Sequence, residues 1–179
     1  MKFCSNCGGP VVFRIPDGDD RERFVCDRCQ TVHYQNPKMV VGTIPQYEGK
    51  ILLCRRAIAP RRGLWTLPAG YLETGETVSE GARREALEEA EADIRGLIPF
   101  ALYNISFVSQ VYFMLIGDLA GPEFSAGTES LEVDLFTEAE IPWDEIAFQV
   151  IAQTLRDYFS DRRAGLFGFH MGDILPDRA

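Results

Sequence analysis

Glu85, Glu88 and Glu89 stand at i, i+3 and i+4 within the run Arg84-Glu85-Ala86-Leu87-Glu88-Glu89. On a helix that spacing sets three carboxylates on one face. Thr77-x-x-Glu80 has the pattern of a capping box, so a helix is expected to begin at Thr77. Three like charges so placed repel one another unless something positive lies between them. Arg84 is expected to satisfy one glutamate at most, with Glu76 in the preceding loop as a competing partner. A solvated acidic face is the plain alternative. The loop Gly70-Tyr71-Leu72-Glu73-Thr74-Gly75-Glu76 feeds this helix and shifts the balance. A loop folding over clustered carboxylates makes a site for a hard divalent cation, Mg2+ or Mn2+, which takes oxygen ligands.

A second set of ligand-type residues lies near the start. Cys4-x2-Cys7 and Cys26-x2-Cys29 are separated by eighteen residues, the spacing of a two-knuckle Zn2+ site. Four thiolates complete a tetrahedral shell and leave no open position, so this zinc is expected to be structural. His33 is then superfluous as a ligand. Cys54, in the apolar run Ile51-Leu52-Leu53-Cys54, reads as a buried small hydrophobe.

These residues need elements to hold them. Val11–Ile15 and Arg21–Val25 read as two strands around the turn 16–20, a hairpin too small to persist without metal. Asn36-Pro37 marks a joint. Strands are expected over 39–44, 50–56, 99–106, 108–116 and 131–136, and helices over 77–92 and 144–162. In the second helix Ile146, Val150, Ile151, Leu155, Tyr158 and Phe159 form one apolar stripe, read as core packing. The expected organisation is a metal-stapled module over 1–35, an α/β domain over 36–165 and a weakly patterned tail over 166–179.

Twenty-seven acidic against eighteen basic residues give a net charge of -9 over 179 residues. That balance argues against a general nucleic-acid coat. The basic residues of the cysteine module are matched by nearby acids and form no basic face. The first residues lack the apolar stretch of a secretory signal, and no run is long enough to span a bilayer. A cytoplasmic protein with no membrane association is the expectation.

Gly70-x5-Glu76-x7-Arg84-Glu85-x-x-Glu88-Glu89 resembles the signature of the Nudix hydrolases, with six positions matched over twenty residues. Leu52–Arg56, Gly63–Gly70 and Glu140–Trp143 are similar to segments that flank this signature, and the resemblance covers most of residues 1–160. The sequence departs from the family at Glu91, where a glycine is usual, and at Ala86 and Ala92, where larger aliphatic residues are usual. A zinc ribbon ahead of such a domain resembles the NADH pyrophosphatase branch and a group that includes FAD and ADP-ribose pyrophosphatases.

The resemblance implies an α/β/α sandwich on a mixed sheet. It implies metal-dependent hydrolysis of a nucleoside diphosphate linked to another group, a small-molecule nucleotide substrate and a homodimer. By the same resemblance Glu85, Glu88, Glu89 and the Gly70 carbonyl hold Mg2+ or Mn2+, while Glu76 and Arg84 brace the loop. The general base is Glu85 or a glutamate on a later loop, with Glu129 ahead of Glu132. Arg55 and Arg56, with Arg61 and Arg62, are candidate phosphate clamps.

The aromatic and proline array of NADH pyrophosphatases after the signature is absent from Ala101–Gln110, and the proline of ADP-ribose-specific relatives is missing. FAD is therefore the favoured substrate and ADP-ribose the next. Tyr71, Tyr103, Phe107 and Tyr112 are candidate stacking surfaces, with core packing as the other reading. NADH hydrolysis, removal of RNA caps and a non-catalytic nucleotide sensor are the alternatives. Retention of Glu76, Glu85, Glu88 and Glu89 favours an enzyme.

Overall fold

The computed structural model describes residues 1–176. They form two compact units, one over Met1–Pro37 and one from Lys38 onward. In the first, β1 (Val11–Arg14), β2 (Arg23–Cys26) and β3 (Val32–His33) make an antiparallel sheet in the order β1-β2-β3. Phe13 and Phe24 face each other across its first pair, with ring centroids 4.9 Å apart.

The second unit is built on β4 (Lys38–Tyr47), β5 (Lys50–Arg56), β6 (Trp65–Thr66), β7 (Ala69–Tyr71), α1 (Val78–Ala90), β8 (Ile94–Ile105), β9 (Gln110–Leu119), β10 (Ser130–Phe136), α2 (Gln149–Ala164) and β11 (His170–Asp173). The sheet runs β10-β5-β4-β9-β8-β11, with β6 on β5 and β7 on β4. The β4–β9 and β8–β11 pairs are parallel and the others antiparallel, so the sheet is mixed. Alternation along β5 assigns its two faces. Ile51 and Leu53 pack with Val150, Ile151, Leu155 and Tyr158 of α2. Leu52 and Cys54 pack with Ala86 and Ala90 of α1. This is an α/β/α sandwich.

The small residues Gly81, Ala82, Ala86 and Ala90 form the buried face of α1. Their size brings the helix axis close to the sheet, which carries Glu85 and Glu89 inward beside β7.

The second helix begins at Gln149 and not near residue 144. The main chain of Ala147 donates to Trp65 O at 2.8 Å and Ile146 bridges Trp65. Pairing with β6 holds these residues extended until Phe148. The strand expected from residue 99 starts earlier, at Ile94, because two register shifts let it pass Pro99. The strand expected from residue 108 starts at Gln110, after a tight turn over Ser106–Val108. Part of the expected tail is structured. His170–Asp173 is an edge strand parallel to β8, satisfied by backbone pairing that no sequence periodicity announces.

Candidate active site and cysteine cluster

Thr77 caps α1 as expected. Its side chain accepts from Glu80 N, and the Glu80 carboxylate accepts from Thr77 N at 2.7 Å. The helix then presents Arg84, Glu85, Glu88 and Glu89 to a cleft of about 1210 Å³ that Gly70, Tyr71 and Glu129 also line. Glu85 lies directly against β7. A Cβ on Gly70 would sit 2.3 Å from Glu85 Oε2, so only glycine leaves room for the carboxylate. Glu89 is 7% exposed, and Ala69 N donates to its Oε2 at 3.3 Å. Burial, then the nearby Glu85 charge, pushes the Glu89 carboxyl up to about 8. Burial also raises Glu85, against the lowering effect of Arg84.

Arg84 satisfies three glutamates, not one. Nε and Nη2 donate to Glu76 at 3.0 and 2.8 Å. Nη1 donates to Glu85 Oε1 at 2.6 Å and Glu88 Oε2 at 3.0 Å, and Nη2 also reaches Tyr71 O at 3.0 Å. The planar guanidinium has enough forked donors to serve both sides at once. Glu76 closes the loop by accepting from Glu73 N at 2.6 Å. The Arg84 fork holds the Glu76 carboxyl down to about 2.

Glu129 reaches the cleft from the segment before β10. That segment docks on the last turn of α1, where Ser125 N donates to Ala90 O at 2.9 Å and Gly127 N to Glu89 O at 3.1 Å. A Cβ on Gly127 would sit 1.8 Å from Glu88 O, so the docking depends on glycine. The Glu129 charge acts on both Glu85 and Glu89. Glu132 points elsewhere and accepts from Arg55 Nη1 at 3.3 Å.

The arginine candidates separate. Arg56 and Arg61 line the cleft, and Arg56 stacks on Phe148 with its guanidinium carbon 5.1 Å from the ring centroid. Arg55 and Arg62 are not among the lining residues. Arg55 instead donates to Gly63 O at 2.9 Å and braces β10 through Glu132. Tyr71, Phe107 and Tyr112 line the cleft, whereas Tyr103 is buried and donates to Asp157 of α2. Sequence reasoning missed the start of α2 and the C-terminal residues Ile174 and Pro176 as lining. Neither carries a motif.

The carboxylates fit a hard cation by chemistry. Glu85, Glu88 and Glu89 offer oxygens in a cleft that Gly70 also lines, and the buried Glu89 has no cationic side chain bonded to it among the described residues. Arg84 Nη1 stands between Glu85 and Glu88, the position of a positive charge. Among the described residues only the cysteines bring three or more ligand atoms within reach of a single ion. Cys4, Cys7, Cys26 and Cys29 have ligand atoms all within 4.8 Å of one another. The Cys4–Cys29 and Cys7–Cys26 sulfur separations are 3.7 and 3.5 Å. Tetrahedral zinc with Zn–S bonds near 2.3 Å needs about 3.8 Å. His33 Nε2 lies 3.3 Å from Cys4 Sγ, a contact that suits a ring N–H donating to a thiolate.

Comparison with known proteins adds the family. Residues 2–35 match the Nudix N-terminal zinc-ribbon family and residues 37–156 match the NUDIX domain. A crystal structure of a NUDIX hydrolase from Nitrosomonas europaea superposes with a TM-score of 0.92 at 54% identity, covering 97% of this chain and 99% of that one. A protein of Vibrio atlanticus named NAD-capped RNA hydrolase NudC is 29% identical over 164 residues, covering 88% of this chain and 58% of the relative. The chain thus spans little more than half the length of that relative. An ADP-ribose pyrophosphatase of Methanocaldococcus jannaschii is 31% identical over 134 residues, covering 70% of this chain and 75% of its own length. With Glu85, Glu88 and Glu89 lining one cleft and both family models matched, the chain belongs to the Nudix hydrolase family.

Proposed function

We propose that this protein hydrolyses the pyrophosphate bond of a nucleoside diphosphate linked to another group, with FAD as the favoured substrate and ADP-ribose next. The products are AMP and a second monophosphate. One observation carries the reading: Glu85, Glu88, Glu89 and Glu129 line the same cleft as Arg56 and Arg61. The volume of about 1210 Å³ exceeds the roughly 300–1,000 Å³ of sites for drug-sized ligands, which suits a dinucleotide.

Glu85, Glu88, Glu89 and the Gly70 carbonyl would hold Mg2+ or Mn2+. When bound, the cation neutralises the diphosphate and makes water a better nucleophile. Arg56 and Arg61 bind phosphate oxygens. Arg84 keeps the Glu76 loop on α1 and orients Glu85 and Glu88. Glu129 takes the proton of the attacking water in this reading, with Glu85 as the other candidate. The four-cysteine shell holds Zn2+ with no open position, which makes it structural.

The test offers FAD, ADP-ribose, NADH and a nucleoside triphosphate with Mg2+ or Mn2+ and separates the products. AMP with the matching monophosphate is expected, fastest from FAD. Glu89→Gln should lower turnover by at least about a hundredfold with the fold intact. Full activity in that variant sinks the site assignment.

A second reading is favoured by the NudC relative, whose name specifies NAD-capped RNA. It uses the same cleft on a dinucleotide joined to RNA. Cleavage of NAD-capped RNA faster than free FAD in the same panel would select it.

A further inference from the structure

The charged residues of the cleft lining come from few segments of the chain. All but one come from Arg56 to Glu89, and the exception is Glu129. The lining from the end of β8, the start of α2 and the C-terminal segment has no charged side chain: it includes Ile105, Phe107, Ile151, Ile174 and Pro176, with Gln149 as its polar member and Phe148 carrying the Arg56 guanidinium on its ring. Phe107 is 53% exposed, an apolar ring left partly in water at the rim.

The C-terminal segment is firmly held there. After α2 the chain turns at Gly165, and Asp161 accepts from Gly168 N and contacts His170 Nε2, each at 2.8 Å. Phe167 packs on Tyr158 with centroids 5.4 Å apart. β11 then pairs with β8 from His170 to Asp173, and Ile174 N donates to Asn104 O at 2.8 Å. Asn104 Nδ2 also donates to Asp173 Oδ1 at 3.0 Å. Ile174 packs against the main core cluster. This segment lies beyond residue 156, where the family match ends.

We propose that the C-terminal strand, through Ile174 and Pro176, is the specificity wall of the cleft, against which an uncharged aromatic ring of the substrate rests. The inference rests on the hydrolase reading of the acidic end. The charged side chains that would hold a diphosphate come from Arg56 to Glu89 and from Glu129, and the C-terminal segment adds none. A group resting on Ile174 and Pro176 gains from burial only if it is neutral and apolar on its faces, which describes a nucleobase or a flavin. A charged or ringless group finds no polar partner on Ile174 or Pro176.

The test places a carboxylate on the wall. Ile174→Asp and Pro176→Asp are assayed with FAD and with ADP-ribose. A rise in KM of about tenfold with kcat held within about twofold is expected. Ile174→Leu should restore the KM. A rise for both substrates assigns the wall to adenine, and a rise for FAD alone assigns it to the flavin. Pro176 lies beyond the paired strand and is exposed, so its variant reports even where Ile174→Asp fails to fold. An unchanged KM in Pro176→Asp for both substrates, or a fall in kcat at constant KM, overturns the wall. Should the wild type cleave neither substrate, the hydrolase reading fails and the wall is judged by FAD binding to metal-free protein, followed by flavin fluorescence. A Kd weakened about tenfold by Pro176→Asp sustains it. Equal affinity, or no binding by the wild type, overturns it.

Discussion

The carboxylate of Glu85 rests on the bare Cα of Gly70, so close that a Cβ there would lie 2.3 Å from Oε2 and 2.4 Å from Cδ. Gly70 has no left-handed φ, so the backbone itself tolerates alanine. The three atoms nearest to such a Cβ all belong to the Glu85 carboxylate. Gly70→Ala is therefore expected to fold with little loss of stability while pushing the Glu85 carboxylate aside. A displacement near 1 Å costs about a hundredfold in rate. Melting temperature and kcat measured together check this. A large stability loss with proportionate activity would mean that Gly70 serves packing only.

Arg84 links the loop to the helix through a fork that a lysine cannot reproduce. Its Nε and Nη2 hold both oxygens of Glu76, while Nη1 bridges Glu85 and Glu88. One ammonium reaches one side of that arrangement and abandons the other. If Glu85 and Glu88 hold the cation as proposed, Arg84→Lys is expected to lower kcat/KM by about 10–100-fold, the usual cost of removing a partner that orients a metal ligand. Amide exchange at Glu73, whose N–H relies on Glu76, should quicken in the same variant. Wild-type kinetics in Arg84→Lys would refute the clamp.

Local chemistry made much of this legible. The capping box located the start of α1 at Thr77 because both of its hydrogen bonds lie within four residues. The i, i+3, i+4 glutamates declared a shared helix face for the same reason. Arg84 was underestimated because counting charges ignores guanidinium geometry. Arg55 and Arg56 look equivalent in sequence, yet neighbours in a strand point to opposite faces, and Arg56 alone of the two lines the cleft. Long-range features left no trace. The delayed start of α2 is set by pairing with Trp65, and β11 by a register with β8 some seventy residues away in sequence.

The Glu76–Arg84 pair predicts a pH signature. The Glu76 carboxyl is held at about 2, below its ordinary 4.5, because Arg84 and then Glu73 N donate to its charged form. A group depressed on folding adds stability that is fully present above the unfolded value and is lost as pH falls through the folded one. The melting temperature of Glu76→Gln should lie below that of wild type near neutrality. The gap should close as pH falls from 4.5 toward 2. A gap that is constant over this range would show that the carboxylate charge contributes nothing.

The cysteine cluster predicts one zinc per chain. Cys4 and Cys26 are buried, and the strands they join are four residues long or shorter. So small a sheet draws its stability from the metal. Cys26→Ser is expected to lose zinc and to leave residues 1–37 open to protease. Metal analysis and limited proteolysis read both effects. Retention of stoichiometric zinc in Cys26→Ser would show that this thiolate is dispensable.

Helix α1 ends at Glu91 in the left-handed region, with φ 48 and ψ 30. Glycine occupies this position in the Nudix signature, and the backbone here shows why. A Cβ in this region clashes with the backbone at a cost of about 1 kcal/mol. Glu91 offsets part of that cost by accepting a hydrogen bond from Ser125 Oγ, which ties down the segment leading to Glu129. Replacement by glycine alone mixes the relief with the lost bond. Glu91→Ala and Glu91→Gly both lose the carboxylate and differ in the Cβ. The glycine variant should be the more stable by about 1 kcal/mol in urea unfolding. If alanine equals glycine, the helix exit has relaxed out of the left-handed region, and the Ser125 bond is what holds wild type there.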